Sequence, residues 1–175
     1  MPRWSFESIR GRFVQIGLAS DHGGFELKEE LRAFLKSMGT EPIDMGCFNE
    51  DSVDYPDFGM LVAERVSRGE LPRGILVCGT GIGMSIVANK FPGVRATLTH
   101  DLYSSRLSRE HNDSNILILG GRVVGKDLAK EIVKVWLTTP FAGGRHGRRL
   151  EKIQALEREK FKSQVTGRPP ESVSK

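Results

Sequence analysis

The sequence predicts an α/β protein with a five-stranded parallel sheet and helices on both of its faces. Short β-branched runs alternate with longer segments of helical period, which is the pattern of repeated βαβ units. The chain has 175 residues with 38% hydrophobic content, enough to bury one ordinary core. Because βαβ crossovers are right-handed, the loops at the carboxyl ends of all strands open on one edge of the sheet, where we expect the functional groups.

Five apolar runs have the length and composition of strands. In chain order they are residues 14–19, 41–44, 74–78, 94–99 and 115–119. Between and after them, apolar side chains recur with the period of amphipathic helices, as at Leu27, Leu31 and Leu35. These helices are predicted at residues 25–38, 57–67, 84–90, 102–110 and 127–137. A glycine-rich basic segment, PFAGGRHGRR, then precedes a last helical stripe.

The chain is predicted to hold one folded domain over residues 13–160, with loosely ordered ends. We expect residues 1–12 to form an N-terminal extension and residues 161–175 a flexible C-terminal tail. No run of about 18 apolar residues occurs, and the first residues lack the apolar middle and the cleavage site of a secretory signal. We therefore expect a cytoplasmic protein with no membrane partner.

The composition argues against a disulfide scaffold and gives little support for a nucleic-acid partner. Two cysteines, Cys47 and Cys78, are too few for a disulfide framework, so we expect reduced thiols. The formal net charge is +4, but much of the excess lies in Arg145, Arg148, Arg149 and the two ends of the chain. That distribution suits a small anion at least as well as nucleic acid, so we expect no nucleic-acid partner and keep nucleic-acid binding as an alternative.

The first strand runs into a polar turn, SDHGG at residues 20–24. One interpretation is structural: Asp21 caps the following helix and the glycines make the turn. The other is functional: Asp21 accepts hydrogen bonds from sugar hydroxyls, and His22 contacts a ring oxygen or a phosphate.

The third strand ends in a glycine-rich loop, CGTGIG at residues 78–83. Alternate glycines allow several backbone N–H groups to turn inward together, which predicts an anion cradle with the thiol of Cys78 at its mouth. A thiolate base beside an anion hole suits removal of a proton α to a carbonyl, because the N–H groups stabilise the developing enediolate. The structural alternative is that Cys78 is an inert, buried small side chain.

A dinucleotide-binding loop is a further alternative for the same residues. It is disfavoured because Met84 occupies the position of the third glycine of the G-x-G-x-x-G pattern and because the loop follows the third strand. Asp101 lies about 20 residues further on, so this alternative stays open.

Polar groups also follow the fourth and fifth strands. His111 and Asn112 end a predicted helix, as a cap or as an acid–base group with a substrate ligand beside it. Arg122 follows the fifth strand, and Arg145 and Arg149 are spaced four apart. Such arginines either decorate a solvated face or grip a phosphate. The scattered histidines and carboxylates predict no metal site.

Taken together, five segments have the order and spacing of one known family. They are SDHGGFELK, DSVDYPDF, GILVCGTGIGMSIVANKF, SREHNDSNILILGGRVVG and GGRHGRRLEKI. Over about residues 14–156 the chain resembles the ribose-5-phosphate isomerase B family, with its galactose-6-phosphate isomerase relatives. The resemblance implies a Rossmann-like three-layer α/β/α sandwich, no cofactor, and a homodimer or dimer of dimers with shared active sites.

The resemblance also implies catalytic roles. Cys78 is the base that shuttles a proton between C2 and C1, and His111 assists ring opening with Thr80 and Asp21. Thr80 and the loop N–H groups form the enediolate hole, to which the resemblance assigns Gly79, Gly81, Ile82 and Gly83.

The remaining implied residues bind substrate. Asn112 lies near the reacting carbons, and Tyr55 lines the sugar pocket. The phosphate is met by His22 and Arg122 on one side, and by Arg145 and Arg149 of the other subunit.

The expected activity is the interconversion of D-ribose 5-phosphate and D-ribulose 5-phosphate in the non-oxidative pentose phosphate pathway. A six-carbon substrate, allose or galactose 6-phosphate, is an alternative in the same class. A non-catalytic sugar-phosphate-binding module is an alternative from another class, although such a module would not need Cys78 and His111.

Overall fold

The computed structural model describes residues 14–165, with side chains described through residue 160. The predicted N-terminal extension lies outside the described residues, as does the predicted tail beyond residue 165. The proposed division of the chain into extension, domain and tail therefore stays a prediction.

The described residues form one five-stranded sheet in which every neighbouring pair is parallel. The strands are β1 Gln15–Ser20, β2 Glu41–Asp44, β3 Arg73–Cys78, β4 Ala96–Leu98 and β5 Ile116–Gly120. Their order is β2-β1-β3-β5-β4. The predicted parallel sheet is confirmed, and each strand begins and ends within two residues of its predicted position.

Six α-helices accompany these strands in residues 14–165. They are α1 Phe25–Ser37, α2 Tyr55–Ser67, α3 Ile82–Ala88, α4 Leu102–Asn112, α5 Lys126–Thr138 and α6 Arg145–Val165. The first five lie within two residues of their predicted bounds. The last begins inside the glycine-rich basic segment, so Arg145 and Arg149 occupy its first two turns. None of these helices is both long enough and apolar enough to span a membrane.

The core has two halves because successive side chains of a strand point to opposite faces. On one face, Val77 of β3 packs in a cluster with Leu31 of α1 and Trp136 of α5. On the other face, Leu76 packs in a cluster with Val62 of α2. Burying one such aliphatic side chain contributes roughly 1.5–3 kcal/mol, so both helical layers are anchored on the sheet. The result is the predicted three-layer α/β/α sandwich.

The strand order fixes where a ligand crevice opens. The chain passes from β1 to β2 on one side and returns to β3 on the other side of β1. In doubly wound sheets the loops diverge at this switch point, and ligands bind at the carboxyl ends of the two strands. Here those ends carry Asp21 and His22 after β1, and the loop that starts at Cys78 after β3.

Candidate active site

Three loops meet at the switch point through glycine residues. A Cβ atom on Gly23, after β1, would lie 3.2 Å from the backbone N and Cα of Gly79, after β3. A Cβ atom on Gly121, after β5, would lie 2.7 Å from the carbonyl oxygen of Gly23. Such contacts leave no room for side chains, so the glycines allow the loops to approach closely.

Cys78 lies at the end of β3 with 4% of its surface exposed. Its sulfur accepts a hydrogen bond from the backbone N–H of Gly81, with a distance of 3.1 Å between N and Sγ. A donor in this position bonds more strongly to a sulfur that carries negative charge. Part of the predicted anion cradle is therefore directed at the thiol itself.

The rest of the loop presents its groups to the crevice. The Thr80 hydroxyl accepts a hydrogen bond from the N–H of Ile82 at 3.3 Å. The ring of Tyr55, from the first turn of α2, lies where a side chain on Gly83 would be, 2.6 Å from the position of its Cβ. Tyr55 is 37% exposed and thus covers the loop while keeping one side open to solvent.

His22 has a defined hydrogen-bonding state. Its Nδ1 accepts a hydrogen bond from the backbone N–H of Val53, with a distance of 3.2 Å. The neutral ring therefore carries its proton on Nε2, which can donate to an anion. Sequence reasoning missed Val53 because this contact joins loops 31 residues apart.

Arg122 and Asp21 are the last two predicted site residues at the carboxyl edge of the sheet. The Arg122 backbone N–H donates to the Gly79 carbonyl at 3.0 Å, and its side chain runs past Gly79. The Oδ1 of Asp21 accepts a hydrogen bond from the Gly24 N–H at 3.0 Å, so Asp21 does act as a cap, of the short 3-10 helix His22–Gly24 that leads into α1. Its side chain still lies beside the same loops.

The structure thus gathers ten of the predicted site residues at the carboxyl edge of the sheet. They are Asp21, His22, Tyr55, Cys78, Gly79, Thr80, Gly81, Ile82, Gly83 and Arg122.

The other four lie at the opposite, amino edge of the sheet. Helix α4 starts near the carboxyl end of β4 and ends at Asn112, four residues before β5 begins. Cys78, in contrast, pairs with Gly120 at the far end of β5. A parallel strand rises about 3.3 Å per residue, so the four steps of β5 separate the two edges by about 13 Å. His111 and Asn112 are therefore remote from Cys78 of the same chain.

Arg145 and Arg149 share this second location. The N–H of Ala142, just before α6, donates to the carbonyl of Glu110 at 3.0 Å, which ties the start of α6 to the end of α4. In addition, the rings of His111 and His146 stack with their centroids 4.1 Å apart and their planes 7° from parallel. We call His111, Asn112, Arg145, His146 and Arg149 the amino-edge cluster. His146 was not among the predicted site residues, and only the tertiary contact reveals it.

Burial lowers the pKa of His146, and electrostatic interaction with His111, Arg145 and Arg149 lowers it further, against the opposing effect of Glu110. His146 is 7% exposed. Both effects favour the neutral form of its ring.

Asp101, the acidic residue that kept the dinucleotide-binding alternative open, has a structural role. Asp101 caps α4, and hydrogen bonds from the hydroxyl and the N–H of Ser104 lower the pKa of its carboxyl group. A carboxylate engaged in this way is accounted for by the helix start. Within residues 14–165, no three His, Cys, Asp or Glu side chains are arranged to hold a metal ion.

The fold and the crevice define a doubly wound α/β protein with a buried thiol at the start of a glycine-rich loop. Its sequence matches the family described as Ribose/Galactose Isomerase over residues 16–153. The chain therefore belongs to the ribose/galactose isomerase family, which confirms the resemblance and the predicted class of enzyme, an isomerase.

Individual relatives are similar over nearly their whole length. Ribose-5-phosphate isomerase B of Escherichia coli is 50% identical over 143 residues, which cover 82% of this chain and 96% of that protein. The structure of the Clostridium thermocellum ribose-5-phosphate isomerase B is 56% identical, with a TM-score of 0.82, and the match covers 83% of this chain and 99% of that one. The Mycoplasma genitalium enzyme with bound ribulose 5-phosphate is 39% identical, with a TM-score of 0.80 and coverage of 83% and 97%.

Proposed function

We propose that the protein interconverts D-ribose 5-phosphate and D-ribulose 5-phosphate in the cytoplasm, as a step of the non-oxidative pentose phosphate pathway. The names of its relatives support the substrate. The observation that carries the chemistry is the Cys78 thiol at the switch point, hydrogen-bonded by Gly81 in a crevice whose neighbouring loops carry His22 and Arg122.

In the proposed reaction Cys78 acts as the base on the open-chain aldose. The thiolate removes the proton from C2, and the electron pair of the C2–H bond forms the C1–C2 double bond of an enediolate. Negative charge develops on O1, where the remaining loop N–H groups and Thr80 stabilise it. The Cys78 thiol then returns its proton to C1 while the O2 proton moves to O1, so that the net change is an isomerisation.

Ring opening precedes this step because the aldose is cyclic in solution. It needs an acid at the ring oxygen, and we assign this role to His111. A general acid must lie within about 3 Å of the atom that it protonates, whereas His111 of the same chain is on the other edge of the sheet. The proposal therefore requires that a second copy of the chain supplies His111.

The residues proposed to bind the phosphate are also divided between two copies of the chain. His22 and Arg122 belong to the crevice of one copy, and Arg145 and Arg149 to the amino-edge cluster of the other. We thus propose a homodimer, or a dimer of dimers, with shared active sites. Exposed apolar side chains beside the crevice support a protein neighbour there, because Ile82 and Ile86 on α3 are each 55% exposed.

The test is conversion of ribose 5-phosphate to ribulose 5-phosphate in the presence of a metal chelator. We expect turnover in the unmodified protein and nearly complete loss in Cys78→Ala. Cys47→Ala is the matched control, since Cys47 is also a buried cysteine but lies after β2, in contact with Ser20. Near-normal turnover by Cys78→Ala would overturn the assignment of the base. No turnover of this sugar would direct the assay to allose and galactose 6-phosphates, and failure on all three would favour a binding module.

A further inference from the structure

The stack of His111 and His146 joins two helices by their imidazole rings. His111 lies in the last turn of α4 and is half-buried, whereas His146 lies in the first turn of α6 and is 7% exposed. The centroid distance of 4.1 Å and the angle of 7° mean that the two rings are in face-to-face contact. The position of one ring therefore restricts the other.

The surrounding backbone holds His146 in place. Its N–H donates to the Gly143 carbonyl at 3.0 Å, at the start of α6. One turn later the side chain of Leu150 is buried, which anchors α6 against the rest of the protein. On the other side of the stack, the Ala142 N–H donates to the Glu110 carbonyl next to His111. His111 itself lies one residue before the end of α4.

We propose that His146 is a positioning residue for His111: it is a buried, uncharged imidazole that fixes the plane of the His111 ring and leaves proton transfer to that ring alone. This inference rests on the proposed function, in which His111 opens the sugar ring in the site of a second copy.

The charges around the pair support this division of roles. His111 and Glu110 face His146 from α4, and Arg145 and Arg149 accompany it on α6. The Nε of Arg145 donates to Nε2 of His146 at 3.4 Å, so this nitrogen is an acceptor and carries no proton. The low pKa of His146, caused first by burial, agrees with the same state. When His111 is protonated, it therefore stacks on a neutral aromatic face, which attracts a cation, and not on a second cation.

Two substitutions at residue 146 distinguish the effect of the aromatic ring from the effect of its protonation. His146→Phe keeps an aromatic ring that cannot take up a proton, and His146→Ala removes the ring. We expect His146→Phe to retain kcat within about threefold, and His146→Ala to lose roughly tenfold to a hundredfold in kcat with little change in KM. Rescue by phenylalanine distinguishes positioning from a chemical role, because a proton donor or acceptor at residue 146 would be lost in both variants.

A kinetic isotope effect identifies the step that is impaired. With ribose 5-phosphate deuterated at C2, slower ring opening hides the C–H cleavage step. We therefore expect the primary isotope effect on kcat to fall towards one in His146→Ala and to stay at the wild-type value in His146→Phe. An unchanged isotope effect in His146→Ala, or equal losses of kcat in the two variants, would overturn the inference.

An NMR measurement, which needs no turnover, tests the positioning role of His146 independently of the proposed function. The ring current of a stacked partner moves the His111 ring protons upfield in the NMR spectrum, so these resonances should move downfield in His146→Ala and much less in His146→Phe. Full isomerase activity of His111→Asn would refute the role of His111 in the proposed function, whatever the stack does. An unshifted His111 resonance in His146→Ala would refute the positioning inference alone.

Discussion

The backbone N–H of Gly81 points at the sulfur of Cys78 over 3.1 Å, and only a glycine can hold it there. Gly81 has φ +80°, and a Cβ atom on it would lie 2.4 Å from Cδ1 of Leu98 and 3.1 Å from the backbone of Leu119. The conformation and the packing thus act together to direct the donor at the thiol.

Gly81→Ala is expected to lower both stability and turnover. The left-handed conformation alone costs about 1–2 kcal/mol for an alanine, and the contact with Leu98 adds to it. Displacing the N–H from Cys78 should also reduce kcat on ribose 5-phosphate. Gly39→Ala is the matched control, since Gly39 has φ +75° but open space around it. Denaturant unfolding and steady-state kinetics check both, and equal kcat in the two variants would contradict a role for the Gly81 donor.

Two inactive variants should restore activity when their chains are coexpressed and form mixed dimers. Cys78→Ala damages the carboxyl edge, and His111→Asn damages the amino-edge cluster about 13 Å away in the same chain. If sites are shared, a mixed dimer contains one site with both changes and one intact site. Random coexpression should then give about one quarter of wild-type turnover, because half of the dimers are mixed. Sites confined to single chains would give no recovery above the separate variants.

His22→Asn should weaken phosphate binding more than it slows the chemistry. The Asn side-chain oxygen can replace Nδ1 as the acceptor for the Val53 N–H, but nothing replaces the Nε2 donor. Hydrogen bonds to charged groups contribute roughly 1.5–3 kcal/mol, so we expect KM to rise by about tenfold to a hundredfold and kcat to change less. Steady-state kinetics on ribose 5-phosphate measure this split. An unchanged KM would remove His22 from the phosphate site.

The elements, and the ten site residues at the carboxyl edge of the sheet, follow from the sequence because local patterns specify them. The bounds of the five strands and of α1 to α5 agree with the prediction within two residues because the periodicity of apolar residues fixes them. The order of strands and loops also predicted that His22 and Cys78 share an edge. The location of His111 could not be read in the same way, since it depends on how far the 11 residues of α4 carry the chain back along the sheet. Its stack on His146 joins residues 35 apart with no periodic signal.

A buried ion pair beside the crevice should contribute strongly to stability. Lys28 of α1 is fully buried, and its Nζ lies 2.8 and 2.7 Å from the two carboxylate oxygens of Asp44 at the end of β2. Lys28→Met removes the nearest partner of this carboxylate and leaves it the Gly46 N–H at 3.0 Å and the Nε of Arg32 at 3.9 Å. Breaking a buried pair costs about 3–5 kcal/mol, and because these two partners remain we expect a loss towards the lower end of that range. The exposed pair of Lys126 and Glu26 is the control, since solvent screens it and Lys126→Met should change the free energy of unfolding much less than Lys28→Met does. Similar urea midpoints for the two variants would contradict the difference.

The low pKa of His146 makes stability depend on pH in a defined direction. Burial, and then repulsion from His111, Arg145 and Arg149, opposes the proton on His146 in the folded state, whereas the unfolded chain takes it up below the ordinary value of 6.5. The unfolded state then binds more protons, so the contribution of this residue is complete above 6.5 and decreases as the pH falls below it. His146→Phe cannot bind that proton. Urea midpoints measured at about pH 7.5 and about pH 5.5 should therefore decline more in the wild type than in His146→Phe. A parallel decline would mean that other groups dominate the pH dependence and that His146 accepts its proton equally well in both states.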